Sequence, residues 1–202
     1  MKRLLLPFLL MLSACQSTSS LHAPTVQSVA QVNLQRYAGT WYEIASYLMF
    51  FQRQCIGDTT AHYTLSEGGS VEVTNQCRTE SSFSKVSGKA TAVEGSGNAK
   101  LKVSFFWPFR SDYWVIGLDP DYRWAVVGHP NRKYLWVLSR TPQLPQPELE
   151  AALAAAKAQG YDPAMLRYTL QTGKIASGGA TAAQPRSATI VITKNDGGRI
   201  GT

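Results

Sequence analysis

Cysteine carries most of the covalent chemistry open to this chain, and its 202 residues hold three: Cys15, Cys55 and Cys77. A thiol can be acylated, paired as a disulfide, bound to a metal or used as a nucleophile, and its surroundings decide which. Cys15 stands alone behind an apolar run, whereas Cys55 and Cys77 flank a stretch that reads as a strand hairpin. No Cys-x-x-Cys spacing occurs, and His22, His62 and His129 are scattered, so neither a metal site nor a redox pair is expected. The chain also lacks a Gly-x-Ser-x-Gly elbow, a Walker loop and a His-Glu-x-x-His helix. These absences argue against an enzyme and against a cofactor.

Lys2-Arg3, the apolar stretch 4–12 and the small residues before Cys15 make up the three parts of an export signal. The apolar stretch is too short to span a bilayer, which takes about 20 residues. Leu12-Ser13-Ala14-Cys15 resembles the lipobox of bacterial lipoproteins, in which cleavage falls between Ala14 and Cys15 and the cysteine is lipidated. Residues 1–14 are then the signal peptide, and acylated Cys15 is the membrane anchor; more than one acyl chain makes such an anchor stable. An ordinary signal with an incidental cysteine and a structural N-terminal helix are the competing readings. Gln16 and Ser17, rather than Asp, follow the cysteine, which favours the outer membrane and its periplasmic face.

The formal charge of +7 includes Lys2 and Arg3, which cleavage removes. The remaining basic residues are dispersed, so nucleic-acid binding is not indicated. Residues 15–31 are rich in Ser, Thr, Ala and Gln and read as a flexible tether, and residues 176–202 as a low-complexity, disordered tail, although 188–193 has strand composition. One domain is expected over residues 32–175.

Within it, Asn33 caps a helical turn stopped by Gly39, after which the pattern turns to strands. Strands are expected at 40–47, 57–65, 70–77, 84–93, 100–106, 113–119, 124–129 and 134–140, separated by Gly, Asp, Asn and Pro. Lys100 to Phe105 alternates, placing Leu101, Val103 and Phe105 on one face. Eight short strands with short connections argue for an all-β, antiparallel up-and-down barrel. A helix over 147–159, with Leu149 and Leu153 as its apolar stripe, should pack outside, and 166–172 should return as a ninth strand. Cys55 and Cys77 flank the hairpin turned by Ser66-Glu67-Gly68-Gly69 and fall nearly opposite each other, so an exported protein should join them.

Gly39-Thr40-Trp41-Tyr42-Glu43-Ile44-Ala45 resembles the Gly-x-Trp signature of lipocalins. Leu118-Asp119-Pro120-Asp121-Tyr122 and Leu135-Trp136-Val137-Leu138-Ser139-Arg140 follow where that family has its second motif and its arginine. Lys102 to Phe106 and Tyr134 to Pro142 are similar to bacterial outer-membrane lipocalins and apolipoprotein D. The resemblance implies a barrel base built from Gly39, Trp41, Asp121, Tyr122 and Arg140, with the guanidinium across the indole ring.

If Arg140 points inward, strand parity turns Leu138, Trp136 and Tyr134 inward as well. Together with Ala45, Leu101, Val103 and Phe105 they outline a ligand cavity. Parity alone fits a solid core better; the resemblance reverses that order and implies a bound lipid, a fatty acid or lysophospholipid, stored or carried for envelope maintenance under stress. Glu43 shares the parity of Trp41, bonded within the base or meeting a head group. A lipid-free structural lipoprotein, a barrel-mouth esterase and a homodimer remain compatible with the sequence.

Overall fold

The computed structural model describes residues 25–174. The lipobox, the signal peptide, most of the tether and the tail lie outside them. Asn33 accepts a hydrogen bond from the Arg36 amide and starts α1 (Leu34–Tyr37), which feeds into β1 (Gly39–Ser46). The strands that follow are β2 (Gly57–Leu65), β3 (Val71–Arg78), β4 (Phe83–Ala92), β5 (Lys100–Ser104), β6 (Ser111–Leu118), β7 (Trp124–Gly128) and β8 (Leu135–Ser139). Each pairs antiparallel with the next, and β1 pairs with both β2 and β8, so the eight-stranded barrel closes. Closure leaves no barrel edge exposed to another chain. The ends differ from expectation in β5 and β6. Phe105 and Phe106 leave the ladder, while Ser111 and Asp112 join it opposite Val103 and Lys102.

The helix α2 (Gln146–Ala158) lies outside the barrel, with Glu148 in its first turn and Gly160 beyond its end at φ +78°. Its buried residues are Ala152 and Ala156, with Leu149 and Leu153 only partly covered. The leucine stripe expected from sequence is therefore a flank. Gly117 explains the alanines: a Cβ there would come within 2.8 Å of the Ala155 Cβ, so the helix sits close on β6 and only small side chains fit between.

The core has two parts. Inside the barrel, Trp41, Tyr37, Tyr63, Val71, Val73, Leu101, Val115, Val127 and Leu138 pack together. Between the barrel wall and α2, Ile44, Ile116, Val126, Leu135 and Val137 meet Ala152 and Ala156. Strands β7 and β8 are thus apolar on both faces, one toward each part.

The tether is shorter than expected. Val26 is fully buried, the Val29 amide donates to Val115 O at 2.8 Å, and Val32 donates to Gly97 O. Gly97, at φ +58°, admits this strap because any Cβ would meet Ala30 O at 2.3 Å. Two valines thus find a groove in a segment whose composition reads as linker. The ninth strand also contracts, to β9 (Arg167–Tyr168), although hydrogen bonds from Thr169 to Ile44 O and from Asp58 to Leu170 O continue the docking.

Cys55 and Cys77 form a disulfide with a Cα–Cα distance of 5.5 Å. It joins the loop before β2 to the end of β3, at the opposite barrel end from Gly39 and Leu65. Replacing both cysteines with serine should cost about 3 kcal/mol from the chain entropy of a loop of this size, read as a lower midpoint in urea.

Candidate functional site: a barrel sealed at one end and open at the other

The sealed end is built around Trp41, whose side chain is fully buried. Its indole N–H donates to Tyr37 O at 2.8 Å, and the Arg140 guanidinium lies 3.8 Å from its ring centroid. Arg140 also donates to Thr40 O at 3.0 Å and to Arg36 O. Gly39, at φ +94°, holds a backbone conformation at this corner that a residue with a Cβ rarely adopts. Tyr122 belongs to the same end: its ring carries Arg36 at 4.2 Å and its hydroxyl accepts from the Asn33 amide.

Asp121, in the turn just before Tyr122, stays outside the packed base. It is exposed at the tip of the turn, and the buried carboxylate is Asp119, which accepts from the Asp121 and Arg123 amides and pairs with the Arg123 side chain at 2.7 Å. The spacing Asp119 to Arg123 was available in the sequence as a signal.

At the other end the barrel opens into a cavity of about 710 Å³. Val73, Val86, Val103 and Phe105 line its walls with Tyr113, Tyr134 and Trp136. Trp136 stacks on Tyr134 with centroids 6.2 Å apart, and Phe51 extends the aromatic side toward the mouth. Of the residues expected to line a cavity, Val103, Phe105, Tyr134 and Trp136 do so. Leu101 and Leu138 are packed in the solid inner core below it.

Ala45 lies on the wrong side altogether, in the cluster beneath α2. The register of β1 against β8 shifts between Glu43 and Ala45, and such a bulge breaks the alternation from which the parity argument was made. Glu43 precedes the shift and stays in register opposite Leu138. It is buried and accepts from Ser46 Oγ, Gln52 Nε2 and Thr169 Oγ1, the last at 2.6 Å, in a side recess of about 410 Å³. It faces neither the base nor the main cavity.

Two features of the cavity are absent from the sequence expectations. Phe50, Phe51, Phe106, Trp107 and Phe109 stand exposed around it, Trp107 at 87 %. Their clustering as Phe105-Phe106-Trp107-Pro108-Phe109 was a visible signal. The second is a phenol group at the cavity floor: Tyr113 Oη lies 2.8 Å from Tyr37 Oη and 2.9 Å from Tyr63 Oη. Burial raises all three, Tyr63 to about 12 against the opposing pull of its Tyr113 hydrogen bond and of Arg140, so the hydroxyls stay neutral near pH 7.

Asp58 clamps the C-terminal segment beside the mouth, accepting from Arg78 Nε at 2.6 Å and from the Thr172 hydroxyl at 2.7 Å. Burial pushes this carboxyl up, but those hydrogen bonds and the Arg78 charge outweigh it and leave it lowered. Asp119 is lowered by Arg123 in the same way. A depressed carboxyl stabilises the fold above its unfolded value, about 3.9, and loses that contribution as pH falls through the folded value. Melting temperature should therefore hold from pH 7 to about 5 and drop below about 4, less steeply in Asp58→Asn.

A family model, that of the lipocalin-like domain, matches residues 32–171. The chain belongs to the lipocalin family. The outer membrane lipoprotein Blc of Escherichia coli K12 is 38% identical over 162 residues, 79% of this lipocalin and 90% of that protein. Temperature-induced lipocalin-1 of Arabidopsis thaliana is 38% identical over 155 residues, covering 73% and 83%. Insecticyanin from the tobacco hornworm Manduca sexta shares the fold with a TM-score of 0.61 at 21% identity, over 73% of this lipocalin and 85% of that chain. Among the described residues no cluster of His, Cys, Asp and Glu could hold a metal ion, and no helix is long and apolar enough to cross a membrane.

Proposed function

We propose that this lipocalin is an outer-membrane lipoprotein that holds a fatty acid or lysophospholipid in its barrel, storing or carrying it for upkeep of the envelope under stress. The observation that carries this reading is the apolar cavity of about 710 Å³, closed below and open above. Each methylene moved into it from water contributes about 0.8 kcal/mol, so an acyl chain binds through its length. Val73, Val86, Val103, Phe105, Tyr134 and Trp136 are the residues proposed to touch it.

The location is supported by the lipobox at Cys15 and by the Blc relatives, named outer membrane lipoproteins. The strap adds a geometric argument. The Gln27 amide donates to Gln159, just past the C-terminal end of α2, and the neighbouring Tyr161 bonds His129 O in the loop after β7, on the open-end side. Thr25 thus enters near the mouth, some ten residues after Cys15, a reach of about 35 Å at full extension. The open end is within range of the membrane that anchors the chain.

Two experiments test the reading. Displacement of a fluorescent fatty acid from the barrel by lysophospholipid should saturate at one site per chain, and failure of both lipids to bind would overturn the lipid assignment. Cys15→Ser should move the protein from the membrane to the soluble periplasmic fraction, and retention in the membrane would overturn the anchor.

A further inference from the structure

The phenol group at the cavity floor holds three O–H donors, while only two hydrogen bonds join its members. One donor is therefore uncommitted among the described residues. Tyr37 and Tyr63 are buried to 3% and 4% exposure and do not line the cavity, whereas Tyr113 does. If Tyr113 donated to either neighbour, that neighbour would keep an unpaired O–H in closed core, which costs about 1–3 kcal/mol. The arrangement without that cost has Tyr37 and Tyr63 both donating to Tyr113 Oη. The proton left over is then that of Tyr113, the one member of the group that lines the cavity, and a phenol that accepts two hydrogen bonds is polarised into a stronger donor.

We infer that Tyr113 is a specificity-determining residue that selects ligands bearing an oxygen acceptor at the deep end of their apolar body. This deepens the lipid-binding reading and rests on it. A chain ending in a methyl group would leave the Tyr113 O–H unpaired in apolar surroundings, while a keto or hydroxyl oxygen near that end satisfies it. Sites with a buried donor discriminate through that unpaired group rather than through shape. The preferred class is thus oxygenated acyl chains, entered tail first with the polar head left at the mouth.

The test compares palmitoyl lysophosphatidylcholine with the analogue carrying a keto oxygen one carbon from the chain's methyl end. The zwitterionic head keeps both ligands in the same orientation. Wild-type protein should bind the keto analogue about tenfold more tightly, Tyr113→Phe should abolish the preference, and Tyr63→Phe, which leaves the Tyr113 hydroxyl in place, should keep it. Equal affinity of wild-type protein for the two lipids would overturn the inference while leaving lipid binding intact, even if Tyr113→Phe does not fold. Loss of the preference in Tyr63→Phe to the same extent as in Tyr113→Phe would also overturn it. Binding of neither lipid would instead overturn the lipid-binding reading beneath it.

Discussion

Trp41→Ala should destabilise the barrel by about 3–5 kcal/mol, the range for deleting a large aromatic side chain from a closed core. The side chain is fully buried, and three contacts end with it: the hydrogen bond to Tyr37 O, the ring contact with Tyr37 at 4.9 Å, and the guanidinium of Arg140 over its face. The cation–π part accounts for about 0.5–2 kcal/mol of the total. Arg140→Lys should lose most of that part while keeping the charge, because an ammonium cannot stack on the ring and reach both Thr40 O and Arg36 O at once. Urea unfolding of the two variants measures both effects. A loss below about 1 kcal/mol for Trp41→Ala would mean that the sealed end contributes little to the fold.

Val86→Glu should reduce lipid affinity by about a hundredfold, close to 2.7 kcal/mol, with little change in melting temperature. Val86 lines the cavity and is only half-buried, so a carboxylate there keeps part of its hydration until an acyl chain covers it. Desolvating it without a partner then opposes binding directly. Val86→Leu keeps the surface apolar and should bind within a few fold of the parent. The comparison separates a charge in the ligand's path from a change in shape, and it is read by the same displacement assay. Similar affinities for the Glu and Leu variants would put the acyl chain somewhere other than this cavity.

Features tied to local chemistry were legible in the sequence. Gly39, Trp41 and Arg140 sit where the lipocalin motif puts them, and the cation–π pair forms as the resemblance implied. Counting outward from the Ser66–Gly69 turn pairs Cys55 with Cys77, and the alternation through Leu101 and Val103 gives the inner face of β5. What escaped depends on tertiary fit. The bulge after Glu43 is one residue of register that no composition reveals, and it alone moves Ala45 from the expected cavity to the underside of α2. The alanine face of that helix follows from Gly117, more than thirty residues away in the chain, which sets how closely the helix approaches. Val26 and Val29 look like linker until the groove beside Val115 is folded. Asp119, not Asp121, orders the turn at the sealed end because its side chain faces the amides and Arg123. The phenol group at the floor joins residues from α1, β2 and β6, elements whose meeting only the closed barrel brings about.

The lipid content of the protein purified from bacterial envelopes without delipidation, read by native mass spectrometry and organic extraction, decides whether the barrel holds a lipid. One fatty acid or lysophospholipid per barrel is expected in the wild-type protein, with its depletion in Val86→Glu. A wild-type barrel that arrives empty and takes up neither lipid on titration would contradict the lipid-binding reading.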